Sequence, residues 1–253
     1  MTPTKRAGLI LCVGATLSLL AGCNKLLDYL HDHPDGTVDL CQIKNMTVYY
    51  NNSDSVTVDF TYNSWGAPVS VIQSRAVTGR PDGLFRYDSR HRLTDYIEAY
   101  KNGFFETWHQ YVYDKNNRII RDTTYIFGAV GDEPPPPDEV YDIAVVYYEY
   151  DDKERIIHTK QVWSDFPNDP LNIYYYYDAN GNLSAPGAVY DDKINVHRTN
   201  KVWMFIDRNY SVNNAYASAY NEYGLPTKME LIDPVTRLAG FYTGKCSITY
   251  KCK

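Results

Sequence analysis

The sequence predicts an all-β protein built as an antiparallel meander of hairpins. Tyrosine occurs 25 times in 253 residues and phenylalanine only 8 times, and tyrosine, valine, isoleucine and threonine all favour strands. Turn-forming residues recur at short intervals, and no long stretch has apolar residues at helical spacing. Strands that follow one another through short turns form an antiparallel meander.

The N-terminal segment has the pattern of an export signal. Two basic residues precede an apolar run, 7–20, which ends in Ala21-Gly22-Cys23. The run is too short and wrongly flanked for a membrane span. It closely resembles the lipobox of bacterial lipoproteins. That resemblance implies cleavage before Cys23, acyl chains on that cysteine and a place in the bacterial cell envelope; Asn24, rather than an aspartate, favours the outer membrane.

We therefore expect a signal peptide over 1–22, a lipidated cysteine and tether over 23–40, and a single β domain over 41–253. Loss of Lys5 and Arg6 with the signal takes the formal charge from -6 to -8. An acidic chain does not suit a nucleic-acid partner, which requires a basic surface. Without a polybasic patch, attachment to the membrane must come from the N-terminal lipid.

Three other cysteines remain after removal of the signal: Cys41, Cys246 and Cys252. The envelope is an oxidising compartment, in which disulfides persist. Cys246 and Cys252 fall on one predicted strand about 20 Å apart, too far to bridge each other. We expect Cys41 to pair with one of them, which leaves one cysteine as a free thiol or as the partner in an intermolecular bond. A metal site is not expected.

One pattern recurs six times: a tyrosine, then Asp or Asn, a short polar stretch, and an apolar residue or proline. The six segments are 62–68, 87–93, 113–119, 150–156, 177–183 and 220–226. The Asp or Asn can accept a hydrogen bond from the backbone two residues on, which makes each segment a turn. Positions are counted from the tyrosine, Y.

Position Y+4 of these turns is expected to have a positive φ, as in a bulged hairpin loop. It is occupied by Gly66, His91, Asn117, Glu154, Gly181 and Gly224. Glycine, asparagine and histidine tolerate that conformation. Glu154 does not, and the sequence predicts mild strain there.

The repeat resembles the YD repeats of the RHS family, and we call the six segments YD turns. The segment 177–183 matches best, whereas the other turns lack the glycine or replace the aspartate by asparagine; the resemblance covers 56–232. It implies a β-sheet wall or shell without chemistry of its own. The whole chain also resembles uncharacterised bacterial lipoproteins with a porin-like β fold, which implies no assigned activity.

Apolar and aromatic residues fall on both faces of the predicted strand around 143–150, so both faces are expected to be covered. A curled sheet or a closed, barrel-like one would also remove unpaired edges, and the closed or nearly closed form is favoured. A membrane-spanning barrel is the alternative, although Arg121, His158 and Lys160 interrupt its strands.

No motif in the sequence indicates catalysis or a cofactor. Histidines are scattered, and nucleophile elbows, phosphate loops and zinc-protease motifs do not occur. We expect a structural or binding scaffold whose partner is a glycan or an envelope protein. The rival hypothesis is a carbohydrate-binding module, with a glycan-acting hydrolase less favoured. The candidate stacking residues are Trp65, Trp108, Trp163 and Trp203, whose alternative role is core packing.

Overall fold

The computed structural model describes residues 26–34, 36–38, 40–50, 54–76, 78–184, 187–215, 217–230, 237–242 and 245–253. The predicted signal peptide and Cys23 lie outside the described residues. The strands are β1 Cys41–Tyr49, β2 Ser55–Tyr62, β3 Pro68–Gln73, β4 Asp82–Tyr87, β5 Leu93–Ala99, β6 Phe104–Tyr113, β7 Ile119–Ala129, β8 Asp142–Tyr150, β9 Ile156–Trp163, β10 Leu171–Tyr174, β11 Tyr190–Ile194, β12 Asn213–Ala215, β13 Ala217–Tyr220, β14 Pro226–Glu230, β15 Arg237–Leu238, β16 Phe241–Tyr242 and β17 Lys245–Cys252. Residues 26–32 are helical. Two 3-10 turns, Pro137–Glu139 and Val196–Thr199, and one α-helix, Lys201–Ile206, complete the fold.

Thirteen strands form one antiparallel sheet in the order β10-β9-β8-β7-β6-β5-β4-β3-β2-β1-β17-β14-β13. Each strand from β2 to β10 pairs with its predecessor, which confirms the predicted all-β hairpin meander. Within the described chain β10 and β13 are the two edges, so the sheet is open and the expectation of closure is wrong. Each edge strand has four residues, and short edge strands limit unwanted pairing without closure of the sheet.

One face of the sheet packs on the helix Lys201–Ile206. Asn200 caps this helix, because its side chain accepts a hydrogen bond from the Val202 amide at 3.0 Å. Trp203 and Phe205 of the helix contact aromatic rings from four strands. These rings are Phe60, Phe85, Tyr111 and Tyr148, at centroid distances of 5.2 to 5.7 Å. The helix is therefore the centre of the main core.

The opposite face of the sheet has a smaller core around Trp108, which is fully buried. The acidic, proline-rich loop 128–139 covers it. Arg86 holds this loop: its guanidinium donates to the carbonyl oxygens of Gly131 and Asp132, both at 2.6 Å, and lies 4.7 Å from the Trp108 ring centroid. Both faces of the sheet are thus covered, as the apolar residues on both faces of the predicted strand around 143–150 indicate.

The described part of the predicted tether, 23–40, is folded against the domain. Leu30 and Val38 are buried with residues that follow β10. The buried Arg198 guanidinium donates to the carbonyl oxygens of Pro34 and Gly36 at 2.5 and 2.9 Å. These tether residues are thus packed on the domain, because their apolar side chains complete a second core and two of their carbonyl groups accept hydrogen bonds from a buried cation.

A disulfide joins the first and last strands of the described chain. Cys41 and Cys252 are register partners of β1 and β17 and form the bridge. Cys246 is a free thiol and is buried. No helix among the described residues is long and apolar enough to cross a membrane.

Candidate functional site

Five of the six YD turns share one hydrogen-bonded geometry, which begins at the Asp or Asn that follows the tyrosine; in the sixth, among the described residues, the Asn63 side chain accepts only from the Ala67 amide. In turn 113–119 the Asp114 Oδ1 atom accepts from the amides of Asn116 and Arg118 at 2.8 and 3.0 Å. Asp88, Asp151, Asp178 and Asn221 repeat both bonds, to the residues two and four positions on. The backbone amides, together with the Arg118 guanidinium, lower the pKa of Asp114. The carboxylate is thus committed to the shape of the turn.

In four of the six turns the tyrosine hydroxyl bonds to the preceding turn. The Tyr113 hydroxyl donates to the carbonyl oxygen of Leu93, at position Y+6 of that turn, at 2.9 Å. The hydroxyls of Tyr87, Tyr150 and Tyr177 donate to the equivalent carbonyl oxygens of Pro68, Ile119 and Ile156. Burial raises the pKa of Tyr113 to about 12. These hydroxyl groups therefore connect neighbouring repeats by hydrogen bonds.

Three arginines at position Y+5 also connect neighbouring turns. Arg118 donates from Nε to Asp114 Oδ2 at 2.9 Å and lies 5.5 Å from the centroid of the Tyr150 ring. Arg92 and Arg155 do the same with their own aspartates and the next tyrosine along the chain. Each arginine thus links the carboxylate of one turn to the ring of the next. We call this arrangement the YD ladder.

A cleft of about 560 Å³ opens between the YD ladder and the start of the helix Lys201–Ile206. Its deep residues are largely apolar and come from the turns and the helix; they include Leu93, Ile119, Met204, Phe205 and Tyr210. Ligand sites commonly have this volume and an apolar lining with a few polar groups. The cleft is the strongest candidate binding site in the described chain.

Polar and aromatic side chains from the turn tips line the mouth of the cleft. Trp65 is 50% exposed and stacks on His91, with ring centroids 4.2 Å apart and planes 10° from parallel. Asn116, Asn117 and Lys201 are also exposed and line the cleft.

The charges near the cleft are largely compensated. Arg92 and Arg118 line it, and each is paired with the aspartate of its own turn, at 2.7 and 2.8 Å. Glu154 is an exposed carboxylate whose Oε2 atom lies 3.7 Å from Arg118 Nε. The aspartates are held by backbone amides, so Glu154 is the acid whose orientation the turn does not fix.

A second polar cluster lies on the same face of the sheet, deeper than the cleft. Asp122 accepts from Tyr148 at 3.3 Å and from Thr124 at 3.2 Å, and lies 2.8 Å from His109 Nδ1. Burial lowers the pKa of His109 and the Asp122 carboxylate raises it, with a net upward direction. The cavity beside the cluster measures about 50 Å³, room for roughly one or two water molecules. This cavity is too small to hold a substrate.

The structure separates the four tryptophans proposed for ligand stacking. Trp65 lies at the mouth of the cleft and Trp163 is half-buried on β9. Trp108 and Trp203 are fully buried, so their assignment as stacking residues is wrong. Both complete apolar cores, the alternative role for tryptophan in a sheet with two covered faces. Among the described residues no three His, Cys, Asp or Glu side chains are grouped as metal ligands would be.

Sequence reasoning missed the other residues at the mouth of the cleft. His91 and Glu154 could have been found, because each occupies a Y+4 position that favours glycine. Indeed all six Y+4 residues have positive φ, from 60° at Glu154 to 88° at Gly66. Lys201 and Met204 had no such signal, since their position depends on a helix of only six residues.

Among the known proteins compared with this chain, only solved structures are similar to it. No protein-family model and no curated protein matches the chain. A crystal structure of TcdB2-TccC3-TEV is 12% identical over 70% of this chain, with a TM-score of 0.29; the matched region is 9% of that protein. TcdB2-TccC3-Cdc42 is 17% identical over the same share of each chain, with a TM-score of 0.22. A porin-like protein from Bacteroides uniformis is 12% identical over 85% of this chain and 99% of its own, with a TM-score of 0.33. None of these structures assigns a role to a residue of this chain.

Proposed function

We propose that the protein is a non-catalytic β-repeat scaffold of the bacterial cell envelope, attached to the outer membrane by lipid on Cys23. The observation that carries the scaffold role is the YD ladder. Its tyrosine hydroxyls, aspartates and arginines are the repeated reactive groups of the chain, and their bonds hold one repeat to the next. A sheet built in this way presents a surface to partners, while its repeated tyrosine, aspartate and arginine side chains are already engaged in bonds within the fold.

The lipid anchor is supported by the sequence around Ala21-Gly22-Cys23. The domain begins close behind this site, since residues 26–32 are helical and Leu30 is already buried. Acyl chains on Cys23 would hold the folded sheet close to the membrane surface, with residues 26–34 and 36–38 at its base.

Fractionation of envelopes from cells that express the chain tests the anchor. The wild-type protein is expected in the outer-membrane fraction, and Cys23→Ala is expected in the soluble periplasmic fraction because it cannot be acylated. Cys246→Ala is the matched control, since it removes a cysteine without removing the acylation site. Equal membrane association of wild type and Cys23→Ala would refute the anchor.

A turnover assay tests the non-catalytic part of the proposal. Purified protein is incubated with peptidoglycan and with neutral and acidic polysaccharides, and the release of reducing sugar is measured. No release above the rate without protein is expected. Release that is abolished by Glu154→Gln would contradict the scaffold role and favour a glycan-acting hydrolase.

A further inference from the structure

The repeat departs from its own pattern where the cleft forms. Position Y+4 has a positive φ in all six YD turns, and glycine relieves that backbone of steric strain. The three turns whose Y+4 residue does not line the cleft use Gly66, Gly181 and Gly224. The three whose Y+4 residue lines it use His91, Asn117 and Glu154. Among the six YD turns, a residue other than glycine therefore occupies Y+4 only where it lines the cleft, and at Glu154 it does so against the preference of the backbone.

Unfavourable backbone conformations that persist in a fold often mark a functional site. Glu154 is the clearest case, because its side chain makes only a 3.7 Å contact with Arg118 and is exposed. That contact is too weak to offset the strain at a φ of 60°. Its presence calls for a role outside the fold.

The side chains at the mouth of the cleft define the ligand chemistry. Trp65 and His91 form a stacked aromatic plate. The amide side chains of Asn116 and Asn117 line the cleft and are exposed, and within the described chain neither makes a side-chain hydrogen bond. A flat aromatic surface suits the apolar face of a ligand, and the amide groups and carboxylate beside it can hydrogen-bond to hydroxyl groups at the ligand's edge.

The ligand is expected to carry no net charge. The two arginines that line the cleft are neutralised by the aspartates of their own turns. Glu154 and Lys201 then contribute one negative and one positive charge at the mouth. A strongly anionic or cationic ligand would meet no matching excess of charge.

We propose that this cleft binds a neutral saccharide, with a sugar ring packed on Trp65 and its hydroxyls bonded by Asn116, Asn117 and Glu154. The site goes beyond the scaffold role and does not depend on it, because the YD ladder exists without any ligand.

Tryptophan fluorescence of the whole chain measures the binding. Trp65 is exposed and lines the cleft, Trp108 and Trp203 are fully buried, and the half-buried Trp163 does not line the cleft, so a ligand there changes mainly the Trp65 signal. The probes are maltotriose, cellotriose, chitotriose and mannotriose, with trigalacturonic acid as the charged comparison. The protein is kept in lauryldimethylamine oxide, because a glycoside detergent would itself offer sugar rings.

Saturable binding of at least one neutral trisaccharide is expected, with binding of trigalacturonic acid at least tenfold weaker. Trp65→Ala removes the fluorescent reporter, so its binding is measured by titration calorimetry beside the wild type and is expected to be at least tenfold weaker. Glu154→Gly is expected to weaken binding at least fivefold while the midpoint of thermal unfolding stays equal or rises. That combination separates loss of a ligand contact from loss of the fold. Asn116→Ala is also expected to weaken binding, whereas its matched control Asn180→Ala is expected to leave binding unchanged, because both are exposed Y+3 residues and only Asn116 lines the cleft.

Failure of all four neutral trisaccharides to change the fluorescence would overturn the proposal. Binding that survives both Trp65→Ala and Glu154→Gly would overturn it as well, since the sugar would then lie elsewhere. Titration with the uncharged dye N-phenylnaphthylamine gives the remaining outcome. Saturation by the dye without any response to sugars would identify an apolar docking cleft in place of a saccharide site.

Discussion

At the scale of single residues, the residue types at Y+4 are not all those that the backbone conformation favours. The same backbone conformation recurs in all six turns, yet the residue types differ. A left-handed conformation costs a residue with a side chain about 1 to 2 kcal/mol relative to its ordinary one, and glycine escapes most of that cost. Glutamate at such a position therefore lowers the stability of the fold.

Replacement of Glu154 by glycine is expected to stabilise the protein by roughly 1 kcal/mol, because the positive φ is relaxed and only a weak exposed contact is lost. The free energy of unfolding in urea measures the effect. Lys153→Gly is the matched control: Lys153 is the exposed neighbour in the same turn and has no positive φ, so glycine there is expected to destabilise by about 0.5 kcal/mol. Destabilisation by Glu154→Gly would show that its carboxylate is needed for the fold.

At the scale of the elements, the YD ladder makes each turn depend on its neighbour. Tyr113→Phe removes the hydroxyl that donates to the Leu93 carbonyl and keeps the ring under Arg92. A loss of about 1 kcal/mol in the free energy of unfolding is expected, because a buried acceptor loses its partner. Tyr147→Phe is the control, since Tyr147 is 46% exposed on β8. It is expected to change stability by less than about 0.5 kcal/mol, and an equal effect of both substitutions would argue against the ladder.

The ladder also predicts unfolding at high pH. Burial raises the pKa of Tyr113 to about 12, and it raises the pKa values of Tyr87, Tyr150 and Tyr177 as well. Tyrosine in the unfolded chain has a pKa near 10, so the unfolded state loses its protons first. The stability is therefore complete below pH 10 and falls between about pH 10 and 12.

Urea unfolding at pH 8, 10 and 11 measures that loss, with absorbance at 295 nm as the record of tyrosine ionisation. In Tyr113→Phe the slope of stability against pH is expected to be smaller by up to about 1 kcal/mol per pH unit, since partial exposure of the ring limits the effect. A wild-type slope that stays flat to pH 11 would contradict the burial of these hydroxyls.

Local patterns predict the turns well, and distant contacts decide the rest. The YD turns could be located from sequence because the aspartate, the tyrosine and the Y+4 residue act within seven positions of one another. The helix Lys201–Ile206 could not, since six residues have no measurable periodicity and its position depends on contacts with four strands. The same limit applies to Pro34 and Gly36, whose carbonyl groups accept hydrogen bonds from the distant Arg198. The cleft is lined by the YD turns and by the helix Lys201–Ile206, so only the residues that come from the turns could be predicted from sequence.

At the scale of the whole molecule, the open sheet is held at the ends of the chain. The strands β1 and β17 are neighbours although they lie at opposite ends of the domain sequence, and the Cys41–Cys252 disulfide joins them across 211 positions. A cross-link over so long a loop removes much of the freedom of the unfolded chain. The chain-entropy relation gives an upper value of about 5 kcal/mol.

Reduction of this bond is expected to lower the midpoint of thermal unfolding, and Cys41→Ser is expected to lower it by the same amount because both open the same loop. Cys246→Ser does not touch the loop; its effect is expected to reflect burial of a hydroxyl and to persist after reduction. Burial raises the pKa of the Cys246 thiol to about 12, so this thiol is expected to react with a disulfide reagent at pH 8 only as the protein unfolds. If reduction left the unfolding midpoint unchanged, the pairing of β1 with β17 would be sufficient by itself to hold the ends of the sheet together.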